Sequence, residues 1–237
     1  MARSSPPRLA ALDLTLCLAL PDTALAAPAL PSDFVRLGEI GGGIRQEIRY
    51  AGPENFTGRP VPGYGAAECW LRREAAEALA RVARDLAGSG WRLVVYDCYR
   101  PLRAVAAFAA WAADPDAHLR KAEYYPQIDK RQLFALGYIA ASSSHSKGTA
   151  VDAGAETLDQ VGMASPIDFG TPFDRFDPRS AGASREVGEA AAANRRRLAA
   201  AFKAQGFSGY AREWWHFGFK GAGSAPAHDV PIAAGTQ

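Results

Sequence analysis

The chain has 237 residues, and its 27 Lys and Arg residues against 25 Asp and Glu residues give a formal net charge of +2. This near-balance argues against a nucleic-acid-binding protein, which would show a basic excess or a basic stripe. The content of 48% hydrophobic and 22% charged residues is that of a globular protein and excludes wholesale disorder, and the absence of a long uncharged apolar run predicts no membrane span.

The first 26 residues have the order of a secretory signal peptide. Arg3 and Arg8 form a short basic region, a Leu- and Ala-rich stretch follows, and residues 24–26 offer a small-residue cleavage site. Asp13 places a charge inside the apolar stretch, so a disordered tail or a misassigned start codon is the alternative interpretation. Export predicts a periplasmic protein, whereas the alternative leaves it in the cytoplasm.

Removal of such a leader would leave two cysteines, Cys69 and Cys98. In an oxidising compartment an even pair suggests one disulfide. In a reducing cytoplasm two separate buried thiols are expected instead, and the sequence alone does not decide between the two.

The hydrophobic pattern predicts interleaved helices and strands. The predicted elements, in order, are a helix over 71–86, a strand over 91–96, a helix from Pro101 to about 114, a strand over 149–153, a long loop over 156–185, a helix over 186–205 and a strand over 214–219. Irregular connections between mixed elements favour a single α+β domain. After residue 220 the chain is rich in Gly, Ala and Pro, and we expect a loose tail over 221–237.

A hydroxyl-rich segment carries the first candidate for chemistry. His145 and Asp152 lie seven residues apart, and Gly148 allows a backbone bend between them. His nitrogen and Asp oxygen are both zinc ligands. A solvated His and a capping Asp in an ordinary loop explain this segment equally well.

A second segment places Glu213 three residues before His216, among large aromatic side chains. A His in apolar surroundings is more often a core residue than a ligand, but a buried carboxylate is costly unless it is paired. With His145 and Asp152, His216 would give three protein ligands and leave a fourth position for water, which is the arrangement of a catalytic zinc site. Glu213 would then be the general base on that water.

Arg100 lies at a predicted strand-to-helix junction, where Pro101 favours an extended backbone before it. From that position its guanidinium could project into a cleft and stabilise an oxyanion. A surface Arg is the alternative that composition alone favours.

These segments together resemble the D-alanyl-D-alanine dipeptidases, peptidase family M15. The resemblance rests on the stretch from Ser143 to Asp152 (S-S-H-S-K-G-T-A-V-D) and on Glu213–His216 (E-W-W-H). Shorter stretches that agree lie at 55–61, 99–101, 124–126, 170–174 and 194–197. The resemblance spans about residues 34–220, which we take as the catalytic domain, and it implies the fold shared by zinc DD-peptidases and the hedgehog signalling domain, with a small antiparallel sheet flanked by helices.

The resemblance implies one Zn²⁺ per chain on His145, Asp152 and His216, with Glu213 as base and Arg100 on the transition state. It also implies substrate-binding roles for Tyr50, Tyr64, Ser144 and Asp174. Ser144 is expected near the substrate carboxylate, Tyr50 and Asp174 at the free ammonium, and Tyr64 on the wall of the site. The leader and the Cys69/Cys98 pair depart from the family pattern.

The function expected from this resemblance is hydrolysis of the small dipeptide D-alanyl-D-alanine in cell-wall turnover. The alternatives are a D,D- or L,D-carboxypeptidase that trims longer peptidoglycan peptides, and a zinc-stabilised binding module without catalysis. The sequence leaves the oligomeric state open.

Overall fold

A computed structural model describes Met1, residues 30–222 and residues 224–234, so the predicted leader after Met1 lies outside the described residues. The β-strands are β1 (Phe34–Arg36), β2 (Arg45–Gln46), β3 (Trp70–Arg72), β4 (Trp91–Asp97), β5 (Ala150–Leu158), β6 (Ala164–Pro166), β7 (Phe207–Tyr210) and β8 (Glu213–Phe219). The α-helices are α1 (Leu37–Ile40), α2 (Arg73–Ala87), α3 (Leu102–Ala113), α4 (Lys121–Tyr124) and α5 (Glu189–Ala204). Short 3-10 turns lie at Arg49–Ala51, Lys130–Gln132, His145–Lys147, Pro178–Ser180 and Lys220–Ala222.

Six strands form the main sheet, in the order β2-β4-β5-β8-β7 with β6 also paired to β5. All of its pairs are antiparallel except β2 with β4, which run parallel. A separate two-stranded antiparallel sheet joins β1 to β3. The predicted α+β class is confirmed, and β4, β5 and β8 form the centre of the sheet on which the site is built.

Two long helices cover the sheet. α2 buries the apolar face that the sequence predicted, including Leu79, Val82 and Leu86, and it packs against β4 and α5. α5 buries Leu198 and Phe202, and the Phe202 ring stacks on Phe217 of β8 with 3.8 Å between centroids. The helix thereby holds the strand that carries Glu213 and His216.

The predicted loop over 156–185 is wrong at its start. β5 continues to Leu158 because it pairs with β4 as far as Thr157, and β6 then returns against Glu156, Thr157 and Leu158. The remaining segment, from Ile167 to Ser180, has no regular strand or long helix. This segment brings Asp174 to the site.

The prediction of a loose tail is wrong for the described residues 224–234. Gly65 donates its backbone N–H to the Ile232 carbonyl at 3.0 Å, and Leu102 donates to the His228 carbonyl at 3.0 Å. The Ile232 side chain is 1% exposed. A Gly-, Ala- and Pro-rich stretch has no periodicity to announce such a contact, because its partners lie far away in the sequence.

Cys69 and Cys98 form a disulfide, with 5.2 Å between their Cα atoms. Cys69 directly precedes β3 and Cys98 directly follows β4, so the bridge fastens the small sheet to the end of a central strand. Within the described part of the chain, we find no helix long and apolar enough to cross a membrane.

Candidate active site

The register of the central strands brings three polar side chains together. Asp152 of β5 lies opposite His216 of β8 and, on its other side, opposite Asp97 of β4. Directly opposed residues of neighbouring strands place their side chains on the same face of the sheet. Residues far apart in sequence therefore meet at one point.

His145 reaches this point from the short turn before β5. The turn ends at Gly148, whose φ of +67° lies in the left-handed region. A Cβ there would stand 2.3 Å from the Phe34 ring, so both the bend and the close packing require glycine. The predicted bend between His145 and Asp152 is confirmed.

Three ligand atoms converge where these elements meet. The Asp152 Oδ1 atom lies 2.9 Å from His216 Nδ1 and 3.2 Å from His145 Nε2, and the two imidazole nitrogens are 3.1 Å apart. Ligand atoms of a tetrahedral zinc ion, each at about 2.0–2.1 Å from the metal, are separated by about 3.3 Å. The spacing and the donor types therefore fit a divalent metal ion.

The electrostatics also suit a metal. Burial lowers the pKa of His216, which keeps its imidazole neutral and able to coordinate. Although burial alone would raise it, the neighbouring His145 and His216 hold the pKa of Asp152 well below its usual value. An ionised carboxylate and neutral imidazoles are the ligand forms of these side chains.

A backbone carbonyl orients His145. Its Nδ1 atom lies 2.6 Å from the Cys98 carbonyl oxygen, so Nδ1 carries the proton and donates it there. The Nε2 lone pair is then directed at Asp152 and His216. Cys98 is also a disulfide residue, so the bridge lies directly behind this ligand.

Asp97 is a buried carboxylate that the sequence analysis did not assign to the site. It accepts hydrogen bonds from the Tyr64 hydroxyl at 2.6 Å and from Arg100 Nε at 2.9 Å, and its Oδ2 atom lies 3.4 Å from His145 Nδ1. Its place at the end of a buried strand, three residues before Arg100, was the signal available, because a buried carboxylate needs partners.

Arg100 projects towards the ligand cluster rather than the surface. Its Nη2 atom lies 2.8 Å from Asp97 Oδ2 and 3.5 Å from Asp152 Oδ2. Its guanidinium also lies over the rings of Tyr50 and Phe108, at 5.2 Å from each centroid. Arg100 therefore projects into the cleft, as one of its two interpretations predicted, and does not lie on the surface.

Glu213 begins β8 and lines the same cleft. Burial raises the pKa of its carboxyl well above the usual value, and the nearby carboxylates of Asp152 and Asp174 add to the rise. A carboxyl of this kind exchanges protons closer to neutral pH than an exposed one.

Asp174 reaches the cleft from the irregular segment after β6. It is 4% exposed, has a φ of +60°, and accepts a hydrogen bond from the Tyr50 hydroxyl at 2.8 Å. Burial and the charge of Asp152 raise the pKa of Asp174 well above its usual value. A buried carboxyl with one neutral partner is suited to receive a cationic group.

Ser144 and Tyr64, the last two predicted residues, do not occupy equivalent positions: only Ser144 lines the cleft. The Ser144 backbone carbonyl accepts a hydrogen bond from Thr149 Oγ1, whereas the Ser144 hydroxyl has no hydrogen-bond partner among the described residues. Tyr64 was predicted on the wall of the site, and this is wrong. Its hydroxyl is turned to Asp97, and the buried side chain supports the site from behind.

The cleft that these residues line has a volume of about 290 Å³. Small-molecule sites usually measure roughly 300–1,000 Å³, so this cleft suits a small ligand. Its remaining lining includes Phe56, Phe108, Tyr138, Ile139, Phe176, Tyr210 and Trp215.

Comparison with known proteins assigns the chain to a family. The family model described as D-ala-D-ala dipeptidase, peptidase M15, matches residues 31–232. The chain belongs to the D-alanyl-D-alanine dipeptidase family. The family model covers the predicted catalytic domain and also the docked segment up to Ile232.

Three relatives illustrate how fully the chain covers members of the D-alanyl-D-alanine dipeptidase family. It is 40% identical to the D-alanyl-D-alanine dipeptidase of Enterococcus faecium over 78% of this chain and 90% of that protein. Against the enzyme of the same name from Streptomyces coelicolor, identity is 38% over 86% of this chain and 100% of the relative. It is 35% identical to the D-alanyl-D-alanine dipeptidase of Escherichia coli over 82% of this chain and 89% of that protein. The family is one of hydrolytic enzymes, and this chain shares nearly the full length of its members.

Proposed function

We propose that this protein is a zinc metallopeptidase that hydrolyses D-alanyl-D-alanine to two molecules of D-alanine. The observation that carries the proposal is the convergence of His145, Asp152 and His216 beside Glu213, in a small cleft that also contains Asp174. The relatives that share most of its length are named D-alanyl-D-alanine dipeptidases, which supports the same substrate.

His145, Asp152 and His216 would hold the zinc ion. When bound, zinc supplies a Lewis acid that polarises a carbonyl and lowers the pKa of water to about 7. The three side chains are held in position for this role. The Cys98 carbonyl fixes the tautomer of His145, and the strand register fixes the positions of Asp152 and His216.

Glu213 would be the proton carrier. One of its carboxylate oxygens accepts a proton from the attacking water, and the same oxygen then donates it to the nitrogen of the leaving D-alanine. A general acid–base group works best when its pKa is near the working pH, and burial raises the pKa of Glu213 in that direction.

Arg100 would stabilise the negative charge that develops on the scissile carbonyl oxygen. Its guanidinium is already held by Asp97 and by two aromatic faces. A donor that is fixed before the reaction begins does not have to be reorganised when charge develops, and this is the basis of oxyanion stabilisation.

The two ends of a dipeptide would be recognised separately. Asp174, with Tyr50, would hold the free ammonium, and the unpartnered hydroxyl of Ser144 would donate to the carboxylate. An additional N-terminal residue would replace the ammonium by a neutral amide and leave the Asp174 carboxylate buried without a cation. Such an unpaired charge costs on the order of 3 kcal/mol or more, so we expect the protein to prefer dipeptides.

The test measures D-alanine release by the purified, zinc-loaded chain from D-Ala-D-Ala and from N-acetyl-D-Ala-D-Ala. Cleavage of the free dipeptide with the acetylated one spared supports the proposal. Cleavage of longer or blocked peptides alone would identify a carboxypeptidase. Zinc binding without turnover of any D-Ala peptide would instead favour a non-catalytic binding module.

We further propose that the protein works in the periplasm. The support is the Cys69–Cys98 disulfide, since such bridges persist in oxidising compartments, together with the leader pattern of residues 1–26. Mass spectrometry of the protein from fractionated cells would show an N-terminus near residue 27 if the leader is removed, and Met1 in the cytoplasmic fraction if the proposal is wrong.

A further inference from the structure

Arg195 is a buried cation in α5 that the proposed mechanism does not use. The residue is 2% exposed, and among the described residues no carboxylate lies within ion-pair distance of its guanidinium. Burial of a charge is costly unless hydrogen bonds compensate it. The groups that bind the guanidinium of Arg195 must therefore compensate for the burial of its charge.

Those groups are neutral oxygens at the two ends of one segment, residues 168–182. At the first end, Arg195 Nε donates to the Phe169 carbonyl at 2.7 Å and Nη2 donates to Thr171 Oγ1 at 3.4 Å. At the other end, Nη1 donates to the carbonyls of Arg179 and Ala181, each at 2.8 Å. One planar guanidinium thus bridges the start and the end of the segment.

The middle of the same segment carries Asp174 into the cleft. Asp174 has a positive φ, a conformation that costs a non-glycine residue free energy and persists only where its surroundings impose it. The Tyr50 hydroxyl fixes the carboxyl itself. The segment on either side of Asp174 is fixed by Arg195.

A shared partner extends the arrangement to β8. Thr171 Oγ1, which Arg195 contacts, also accepts a hydrogen bond from Trp214 Nε1 at 3.0 Å and lies 3.0 Å from Ser180 Oγ. Trp214 directly follows Glu213 in β8. The network thus connects the element that presents Asp174 with the element that presents Glu213.

We propose that Arg195 is a positioning residue for recognition of the substrate's free amine, acting through Asp174. Its guanidinium ties the two ends of segment 168–182 so that the Asp174 carboxylate stands where the ammonium of a dipeptide binds. The selectivity part of this inference rests on the proposed function, whereas the anchoring part does not.

The decisive variant is Arg195→Lys, which keeps the charge but replaces the planar fork by one ammonium group that cannot reproduce its spread of donors. We expect kcat/KM for D-Ala-D-Ala to fall about 10- to 100-fold, mainly through KM, because displacement of a binding group by about 1 Å has effects of this size. The rate with N-acetyl-D-Ala-D-Ala and the zinc content should be unchanged. Arg196→Lys is the matched control, since Arg196 is the next residue of the same helix and forms an exposed pair with Glu189.

A double-mutant cycle separates positioning from general damage. If Arg195 acts through Asp174, Arg195→Lys will cost little further selectivity for the free amine in an Asp174→Asn background. Losses that multiply in the double variant would overturn the proposal. Should Arg195→Lys fold poorly, Thr171→Val removes one acceptor of the same network and serves in the same cycle.

Hydrogen exchange gives a measurement that needs no activity. The backbone amides of residues 173–177, which lie between two prolines, should exchange faster in Arg195→Lys than in Arg196→Lys, while those of β5 should not change. Equal exchange of residues 173–177 in the two variants would overturn the anchoring role, whether or not the unaltered chain is active on D-Ala-D-Ala. Inactivity on D-Ala-D-Ala would by itself refute only the proposed function.

Discussion

Replacement of Asp174 by Asn tests the recognition of the free amine directly. Asn has nearly the same shape, and its side-chain oxygen can still accept the hydrogen bond from Tyr50 that the structure shows at 2.8 Å. The substitution therefore removes the negative charge and little else. Removal of one member of a buried ion pair costs about 3–5 kcal/mol.

The lower end of that range applies here. Burial raises the pKa of Asp174, so part of the energy of pairing with an ammonium is offset by ionising the carboxyl. A loss of about 3 kcal/mol corresponds to roughly a 150-fold fall in kcat/KM. We expect this fall for D-Ala-D-Ala only, so the ratio of its kcat/KM to that of N-acetyl-D-Ala-D-Ala should shrink by the same factor.

The assay is continuous detection of released D-alanine with both substrates and both forms of the enzyme. Asp129→Asn is a suitable control for the loss of one carboxylate charge, because Asp129 is bonded to Arg131 and lies outside the cleft. An Asp174→Asn variant that kept the full selectivity ratio would show that the ammonium binds elsewhere and would refute the reasoning.

Three further predictions concern the base, an ion pair and the disulfide. Glu213→Gln should keep its zinc and lose about 10²–10⁴-fold in kcat, because only the proton carrier is removed; metal analysis and turnover measure the two effects. The hydrogen bonds from Arg179 lower the pKa of Asp177 to about 2. The pair therefore contributes stability above about pH 4, and this contribution is lost as the pH falls towards 2. Asp177→Asn should lower the free energy of unfolding, measured in urea, at neutral pH and should have less effect as the pH approaches 2. Serine at both Cys69 and Cys98, which are separated by 29 residues, should lower the free energy of unfolding by about 3–4 kcal/mol, as measured by urea titration.

Each of these has a contrary result. Loss of zinc from Glu213→Gln would make Glu213 a ligand or a structural residue. A stability difference for Asp177→Asn that stayed constant down to about pH 2 would mean that its charge is not the cause. Equal stability of the serine variant and the oxidised protein would mean that the bridge does not constrain the unfolded chain.

The site was largely predictable because its residues occur in two short segments with characteristic chemistry. Gly148 between His145 and Asp152 indicated a bend, and Glu213 three residues before His216 indicated a carboxylate close to a candidate metal ligand. The alternation of helix and strand patterns was sufficient for the α+β class.

What the sequence did not reveal depends on contacts over long distances. Tyr64 carries no sign that its hydroxyl meets Asp97, 33 residues away. β2 has only two residues and becomes a strand because β4 lies beside it. The docking of Ile232 has the same origin, since an isolated Ile among Gly, Ala and Pro has no pattern that identifies its partner.

The docked segment has a consequence for how much of the chain the site needs. His228 donates its backbone N–H to the Ser146 carbonyl at 2.9 Å, next to His145, and Ile232 lies against Gly63 and Gly65. Every candidate site residue precedes this segment in the chain. A chain that stops before residue 224 would therefore contain all of these residues and still leave the back of the His145 turn uncovered.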